Sequence, residues 1–183
     1  MTTVKTILLS SKSDDLTRAA QIWRDGGLVA FPTETVYGLG ADARNDHAVA
    51  QIYAAKGRPS FNPLIVHVPD VETARRYVTF SAEAEVLAAQ FWPGALTLVL
   101  PLRADAGISP LVTAGLETLA IRVPQGDVAQ GVLRSFDGPV AAPSANPSGR
   151  VSPTSASHVI AGLSGRIDAV IDGGQCGVGV EST

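Results

Sequence analysis

Four polar segments hold the residues that could do chemistry, and each follows or flanks a run that reads as a strand. The first, 32–40, reads PTETVYGLG. Polar residues at strand ends in open sheets commonly line a ligand crevice. The plainer reading is a turn whose Thr hydroxyls cap backbone, with Tyr37 in the core. The second, 56–67, reads KGRPSFNPLIVH and sets two cations at a helix end before a proline-bounded loop. Lys56 supplies a point charge and Arg58 a fork matched to phosphate; alternatively, both complement a helix C-terminus. His67, inside an apolar strand, is a core histidine unless a ligand claims it. The third, 118–124, reads TLAIRVP and embeds Arg122 in an apolar pattern. A buried Arg needs a partner, either a structural carboxylate or a bound anion such as a substrate carboxylate. The fourth, 142–154, reads APSANPSGRVSPT. Small, hydroxyl-rich, proline-stiffened loops let a ligand approach backbone N–H groups, and Ser and Asn add neutral donors for phosphate or ribose. A surface loop is the plainer reading there.

Together the segments sketch a pocket with two or three cations, many hydroxyls and no obvious nucleophile. Such a pocket suits binding and orienting an anionic nucleotide more than covalent catalysis. Other chemistries lack their signatures. Gly38-Leu39-Gly40 starts like a dinucleotide fingerprint but lacks the third glycine, and no P-loop, HExxH, CxxC or GxSxG pattern occurs. His47, His67 and His158 lie far apart in sequence, so no protein-held metal is expected.

The elements that must position these segments follow from periodicity. Ser13 reads as an N-cap followed by Asp14 and Asp15, with Leu16, Ala19, Ala20 and Trp23 on one helical face. Gly26 and Gly27 stop that helix, and 28–31 is a short buried strand ended by Pro32. Asp46 reads as the cap of a helix that carries Lys56 and ends at Gly57. Further strands are expected at 64–68, 95–100, 119–123, 140–142 and 167–171. Further helices are expected at 71–78, 82–91, 127–136 and near 155–162, with Asp70, Ser81 and Asp127 as caps for the first three. The interspersed order predicts an α/β (α+β) fold on one twisted sheet, mixed because strict alternation fails around 92–123.

Composition narrows the class. With 183 residues, 45% hydrophobic, the chain is long enough for one domain with a real core. The net charge of −3 argues against a surface coated in positive charge to hold nucleic acid. One cysteine, Cys176, excludes an internal disulfide and fits a reducing compartment. No run approaches the ~20 apolar residues of a membrane span, and residues 7–9 are too short for a secretory signal. The expected location is the cytoplasm.

Six blocks in this order, PTETVYGLGA (32–41), KGRPSFNPLIVH (56–67), WPGALTLVL (92–100), TLAIRVP (118–124), APSANPSGRVSPT (142–154) and GVEST (179–183), resemble the threonylcarbamoyl-adenylate synthase family, the YrdC-like domain. The resemblance runs from about residue 13 to Thr183. It implies an open, twisted mixed sheet with flanking helices around a large concave cavity. It implies a nucleotidyltransferase that makes threonylcarbamoyl-adenylate and pyrophosphate from L-threonine, bicarbonate or CO₂, and ATP. The product would feed N6-threonylcarbamoylation of adenosine 37 in tRNA by partner proteins. Carried over residue by residue, Thr35, His67, Arg122, the backbone at Ala142 and Ser182 should contact threonine. Lys56, Arg58, Asn62, Thr118, Ser144 and Ser152 should hold ATP, with Asn146 close by. Lys56 and Arg58 would neutralise the leaving pyrophosphate. Mg²⁺ is expected with the nucleotide, held largely by phosphates and water.

Two rivals share the concavity. One is the YrdC-like domain of the hydrogenase-maturation carbamoyltransferase, which adenylates a carbamoyl group; the other is an RNA-binding module, weakened by 5% aromatic residues. Residues 1–183 read as one YrdC-like domain. Family chains normally continue beyond the EST motif, so Thr183 is expected not to be the natural C-terminus.

Overall fold

The structure, a computed structural model, describes residues 4–60 and 62–183. Strand β1 (Ile7–Leu9) leads into helix α1 (Ser13–Arg24), whose buried face is Leu16, Ala19, Ala20 and Trp23, as the spacing predicts. The start differs from expectation. Lys12 occupies the cap position and its side chain makes no capping bond. The Asp15 carboxylate instead reaches back to accept from Ser10 N (2.7 Å) and Ser10 Oγ (2.6 Å), fixing the turn from the first helical turn.

Strand β2 (Val29–Pro32) is buried throughout and forms a hairpin with β3 (Tyr37–Asp42). β3 was not expected, because Gly38 and Gly40 are poor strand formers. Its glycine has a packing reason: a Cβ at Gly40 would stand 2.7 Å from the Trp23 ring. Trp23 Nε1 donates to Gly40 O at 2.9 Å, so α1 lies directly on this strand.

Helix α2 (Asp46–Lys56) is capped by Asn45 rather than by Asp46: Asn45 Oδ1 accepts from Ala48 N at 3.1 Å. Gly57 ends it at φ 61°, the left-handed conformation that glycine adopts without a Cβ clash. Then come β4 (Ile65–His67), α3 (Val71–Ala74), α4 (Ala82–Phe91) and β5 (Leu98–Pro101). Asp70 and Ser81 cap α3 and α4 as expected, but α3 lasts one turn. The rest is α5 (Pro110–Thr113), β6 (Thr118–Arg122), α6 (Asp127–Phe136), β7 (Val140–Ala141), α7 (Ala156–Leu163) and β8 (Ala169–Ile171). Gly126, not Asp127, is the cap residue of α6.

Among the described residues the strands form one eight-stranded sheet in the order β1-β8-β2-β3-β7-β4-β6-β5. The β1–β8, β8–β2 and β4–β6 pairs are parallel and the others antiparallel, so the sheet is mixed. Two apolar clusters flank it. One holds Trp23 between Phe31 and Phe136, edge-on to each at 5.5 Å, where α1 and α6 pack together. The other contains Ile52, Leu64, Ile121 and Leu163. Helices therefore cover both faces, and the apolar strands are buried accordingly.

Candidate functional site

The parallel register of β4 on β6 sets His67 directly beside Arg122. Both belong to the polar minority in the core, at 4% and 3% exposure. They line a small cavity of about 40 Å³. Thr35, Ala142 and Ser182 line it too, so the five residues assigned to threonine converge from five distant stretches of chain. Ser144, assigned to ATP, joins them, as does Glu181, which received no role from the sequence.

Thr35 lies in the turn that closes the β2–β3 hairpin. The single hydroxyl proton of Thr33 goes to Val36 O at 2.8 Å. The 2.9 Å contact between Thr33 Oγ1 and Thr35 Oγ1 therefore requires Thr35 to donate. Thr35 Oγ1 also accepts from Arg122 Nη1 at 3.1 Å, which leaves it one lone pair for a ligand N–H or O–H. Arg122 Nε donates to Gly94 O at 2.9 Å, and Nη2 pairs with the Glu34 carboxylate. Arg122 thus has a protein carboxylate as partner, a contact the sequence left open. Burial pushes its pKa down to about 10, partly opposed by the charge of Glu181, and it stays protonated at neutral pH.

His67 Nδ1 is buried and has no hydrogen-bond partner among the described residues. Burial lowers its pKa to about 4, opposed by a hydrogen bond with the backbone of Ile65. The cavity therefore meets a neutral imidazole. Ser182 Oγ is 2.7 Å from Thr97 Oγ1, and the backbone of Thr183 pairs with Ala95 O and Thr97 N.

Lys56, at the end of α2, is 3% exposed. Its Nζ donates to Ser144 O and to Asn146 O, at 2.5 Å for the latter. Burial and then repulsion from Arg58 lower its pKa to about 8, with Glu181 opposing. Arg58 Nη2 donates to Pro63 O at 3.1 Å, and its buried Nε has no hydrogen-bond partner among the described residues. Asn146 Nδ2 holds its own loop through Pro147 O and Arg150 O, both at 2.9 Å. Ser152 Oγ donates to Glu181 Oε1 at 2.5 Å. Asn146 and Ser152 line a second, larger cavity of about 590 Å³, with Arg150 and His158.

Lys56, Arg58, Asn62 and Thr118 lie outside the linings of both cavities, Lys56 meeting them only through the carbonyls of Ser144 and Asn146. Thr118 is exposed at the start of β6. It shares the face of Arg122, about 13 Å away along the strand. Sequence reasoning missed Glu34 and Glu181, although both sit inside the quoted motifs; a carboxylate in a turn carries no sign that it will meet a buried Arg. Among the described residues no group of three or more His, Cys, Asp or Glu could hold a metal ion, and no helix is long and apolar enough to cross a membrane.

Comparison with known proteins decides the family. The Sua5/YciO/YrdC family model, described as telomere recombination, matches residues 21–183. The chain belongs to this family. It is 54% identical over 176 residues to the threonylcarbamoyl-AMP synthase of Bacillus subtilis (strain 168), covering 96% of this chain and 51% of that protein. It is 50% identical over 166 residues to the threonylcarbamoyl-AMP synthase of Pyrococcus abyssi (strain GE5 / Orsay), covering 90% and 48%. The crystal structure of P. abyssi Sua5 complexed with L-threonine superposes with a TM-score of 0.94 at 46% identity, over 97% of this chain and 53% of that one. The chain thus spans about half the length of these relatives, and its α/β architecture is theirs.

Proposed function

We propose that this chain carries the L-threonylcarbamoyl-adenylate synthase activity: L-threonine, CO₂ or bicarbonate, and ATP give threonylcarbamoyl-AMP and pyrophosphate. The observation that carries this reading is the convergence of Thr35, His67, Arg122, Ala142 and Ser182 on one cavity beside the buried ammonium of Lys56. The identity to two threonylcarbamoyl-AMP synthases and the threonine-bound relative support it.

In this reading the threonine amine adds to CO₂ and loses a proton, giving a carbamate. A carbamate oxygen then forms a bond to the α-phosphorus, and the α–β bridging P–O bond breaks with its electron pair going to pyrophosphate. Arg122 takes the threonine carboxylate, and the acceptor oxygen of Thr35 takes an N–H or O–H of the amino acid. His67, being neutral, adds no charge that would repel Arg122. Lys56 and Arg58 draw off charge as pyrophosphate forms, while Ser144, Asn146 and Ser152 align the nucleotide with Asn62 and Thr118 at its periphery. The tightness of the cavity excludes water from the short-lived carbamate. Mg²⁺ would arrive with ATP and screen its phosphates. Glu181, which lines the cavity, is the carboxylate that would meet such an ion beside its phosphate and water ligands.

The product would pass to tRNA-modifying threonylcarbamoyltransferase proteins in the cytoplasm. Mass spectrometry of products from threonine, bicarbonate and ATP tests the reading. Threonylcarbamoyl-AMP should appear only when all three are present; equal pyrophosphate release without threonine overturns it. Turnover with carbamoyl phosphate in place of threonine would favour the hydrogenase-maturation chemistry, and salt-dependent RNA binding without adenylate formation would favour an RNA module.

A further inference from the structure

Glu34 belongs to none of the residues assigned to threonine or ATP, yet its carboxylate pairs with one of them, Arg122. One carboxylate oxygen pairs with Arg122 Nη2, and the other accepts from the backbone N–H of Gln125. Its main-chain carbonyl accepts from Val178 N at 2.9 Å. The side chain is 14% exposed, so this is a largely desolvated ion pair held in place at three points.

Arg122 lines the small cavity, whereas Glu34 does not; it lines a neighbouring surface pocket with Gly126, Asp127 and Gln175. The carboxylate that pairs with Arg122 therefore belongs to a residue outside the cavity lining. Arg122 has five N–H groups. Gly94 O and Thr35 Oγ1 accept from Nε and Nη1, and the Glu34 carboxylate forms an ion pair with Nη2. The terminal nitrogens keep N–H groups for a further carboxylate.

We propose that Glu34 is a positioning residue: its ion pair fixes the Arg122 guanidinium so that the N–H groups left on the terminal nitrogens meet the carboxylate of an amino-acid substrate. The inference rests on the threonine reading above and deepens it. Without Glu34 the buried Arg122 charge lacks its partner, and the nearest remaining acid is Glu181, which lines the cavity itself. A guanidinium drawn toward Glu181 occupies the space the substrate carboxylate needs. The bonds that hold Lys56 to Ser144 and Asn146 involve neither Glu34 nor Arg122.

Isothermal titration with L-threonine and, separately, with a non-hydrolysable ATP analogue tests this on the full 183-residue chain. The unaltered chain must first bind threonine; if it does not, the threonine reading fails before Glu34 is in question. Given that binding, Glu34→Gln should raise the threonine Kd about tenfold or more and leave the nucleotide Kd unchanged. Glu34→Asp, which keeps the charge on a shorter arm, should recover part of the loss and covers the case in which the Gln variant fails to fold. The ¹⁵N NMR signal of Arg122 Nε should be sharp in the unliganded protein and broadened in Glu34→Gln. Unchanged threonine affinity in both variants, or equal losses for threonine and nucleotide, overturns the proposal.

Discussion

Lys56 and His67 are both buried and both titrate far from their ordinary values, with opposite consequences for the bound state. Burial, helped by Arg58, brings Lys56 down to about 8, so the free protein begins to lose that proton just above neutrality. A polyphosphate beside the ammonium favours the charged form and pulls the proton back. Nucleotide binding just above pH 8 should therefore take up a fraction of a proton. Calorimetry in two buffers of different ionisation enthalpy reads it directly, and Lys56→Arg, which does not titrate, should abolish it. His67 is held neutral, with its pKa brought down to about 4 against 6.5 for the ordinary side chain. Between those values the unfolded chain binds a proton that the folded chain refuses, so stability is present above 6.5 and is lost as the pH falls toward 4. The full swing is roughly 3 kcal/mol. Urea midpoints of the unaltered protein should fall across that window more steeply than those of His67→Gln. Equal slopes would mean that His67 is not the buried neutral group described here.

At the scale of elements, the strands and helices legible in the sequence were those with dense apolar periodicity: α1 from Leu16, Ala19, Ala20 and Trp23, and α4 from its Ser81 cap onward. β3 was illegible for a physical reason. Its glycines remove the strand signal, and what replaces it is tertiary: the Trp23 ring lies on Gly40, which no local window contains. The site shows the same division. Arg122 could be read as buried from its apolar neighbours, and the motif blocks named the cavity residues. The partner that neutralises Arg122 lies 88 positions earlier, and nothing in 118–124 points to it. The Gly40 contact can be tested. Gly40→Ala would push a methyl into the indole and against a Val140 side-chain carbon at 2.9 Å, both in the packed cluster between sheet and α1. Overpacking of this kind costs about 1–3 kcal/mol. Chemical denaturation should show a loss in that range, whereas Gly107→Ala, with open space around it but a left-handed φ of 68°, should lose only about 1 kcal/mol. A smaller loss at Gly40 than at Gly107 would contradict the packing described.

Across the whole molecule, the cavity is where separated parts of the sheet meet. Thr35 comes from the β2–β3 hairpin, His67 and Arg122 from the parallel β4–β6 pair, and Ala142 from the end of β7 between them. The segment 176–183 adds Glu181 and Ser182 to the lining. It bonds Thr154 O through Cys176 N, Glu34 O and Thr35 O through Val178 N and Gly179 N, and the residues before β5 through Ser182 and Thr183. An amino acid held in this cavity touches every one of these parts and is absent from the unfolded chain, so it must stabilise the fold as a whole. At 100 times its Kd a ligand adds about 2.7 kcal/mol. For a domain of this size that corresponds to a rise in Tm of roughly 5–10 °C. Thermal melts should show that rise with L-threonine, and separately with an ATP analogue at the same multiple of its own Kd. The cations should divide the two responses. In the proposed reading Arg122 meets the threonine carboxylate, so Arg122→Ala should cancel the threonine shift while keeping the nucleotide shift. Lys56→Ala should do the reverse, and Arg58→Ala should weaken the nucleotide shift alone. A threonine shift that survives Arg122→Ala would mean that the amino acid binds elsewhere in the molecule.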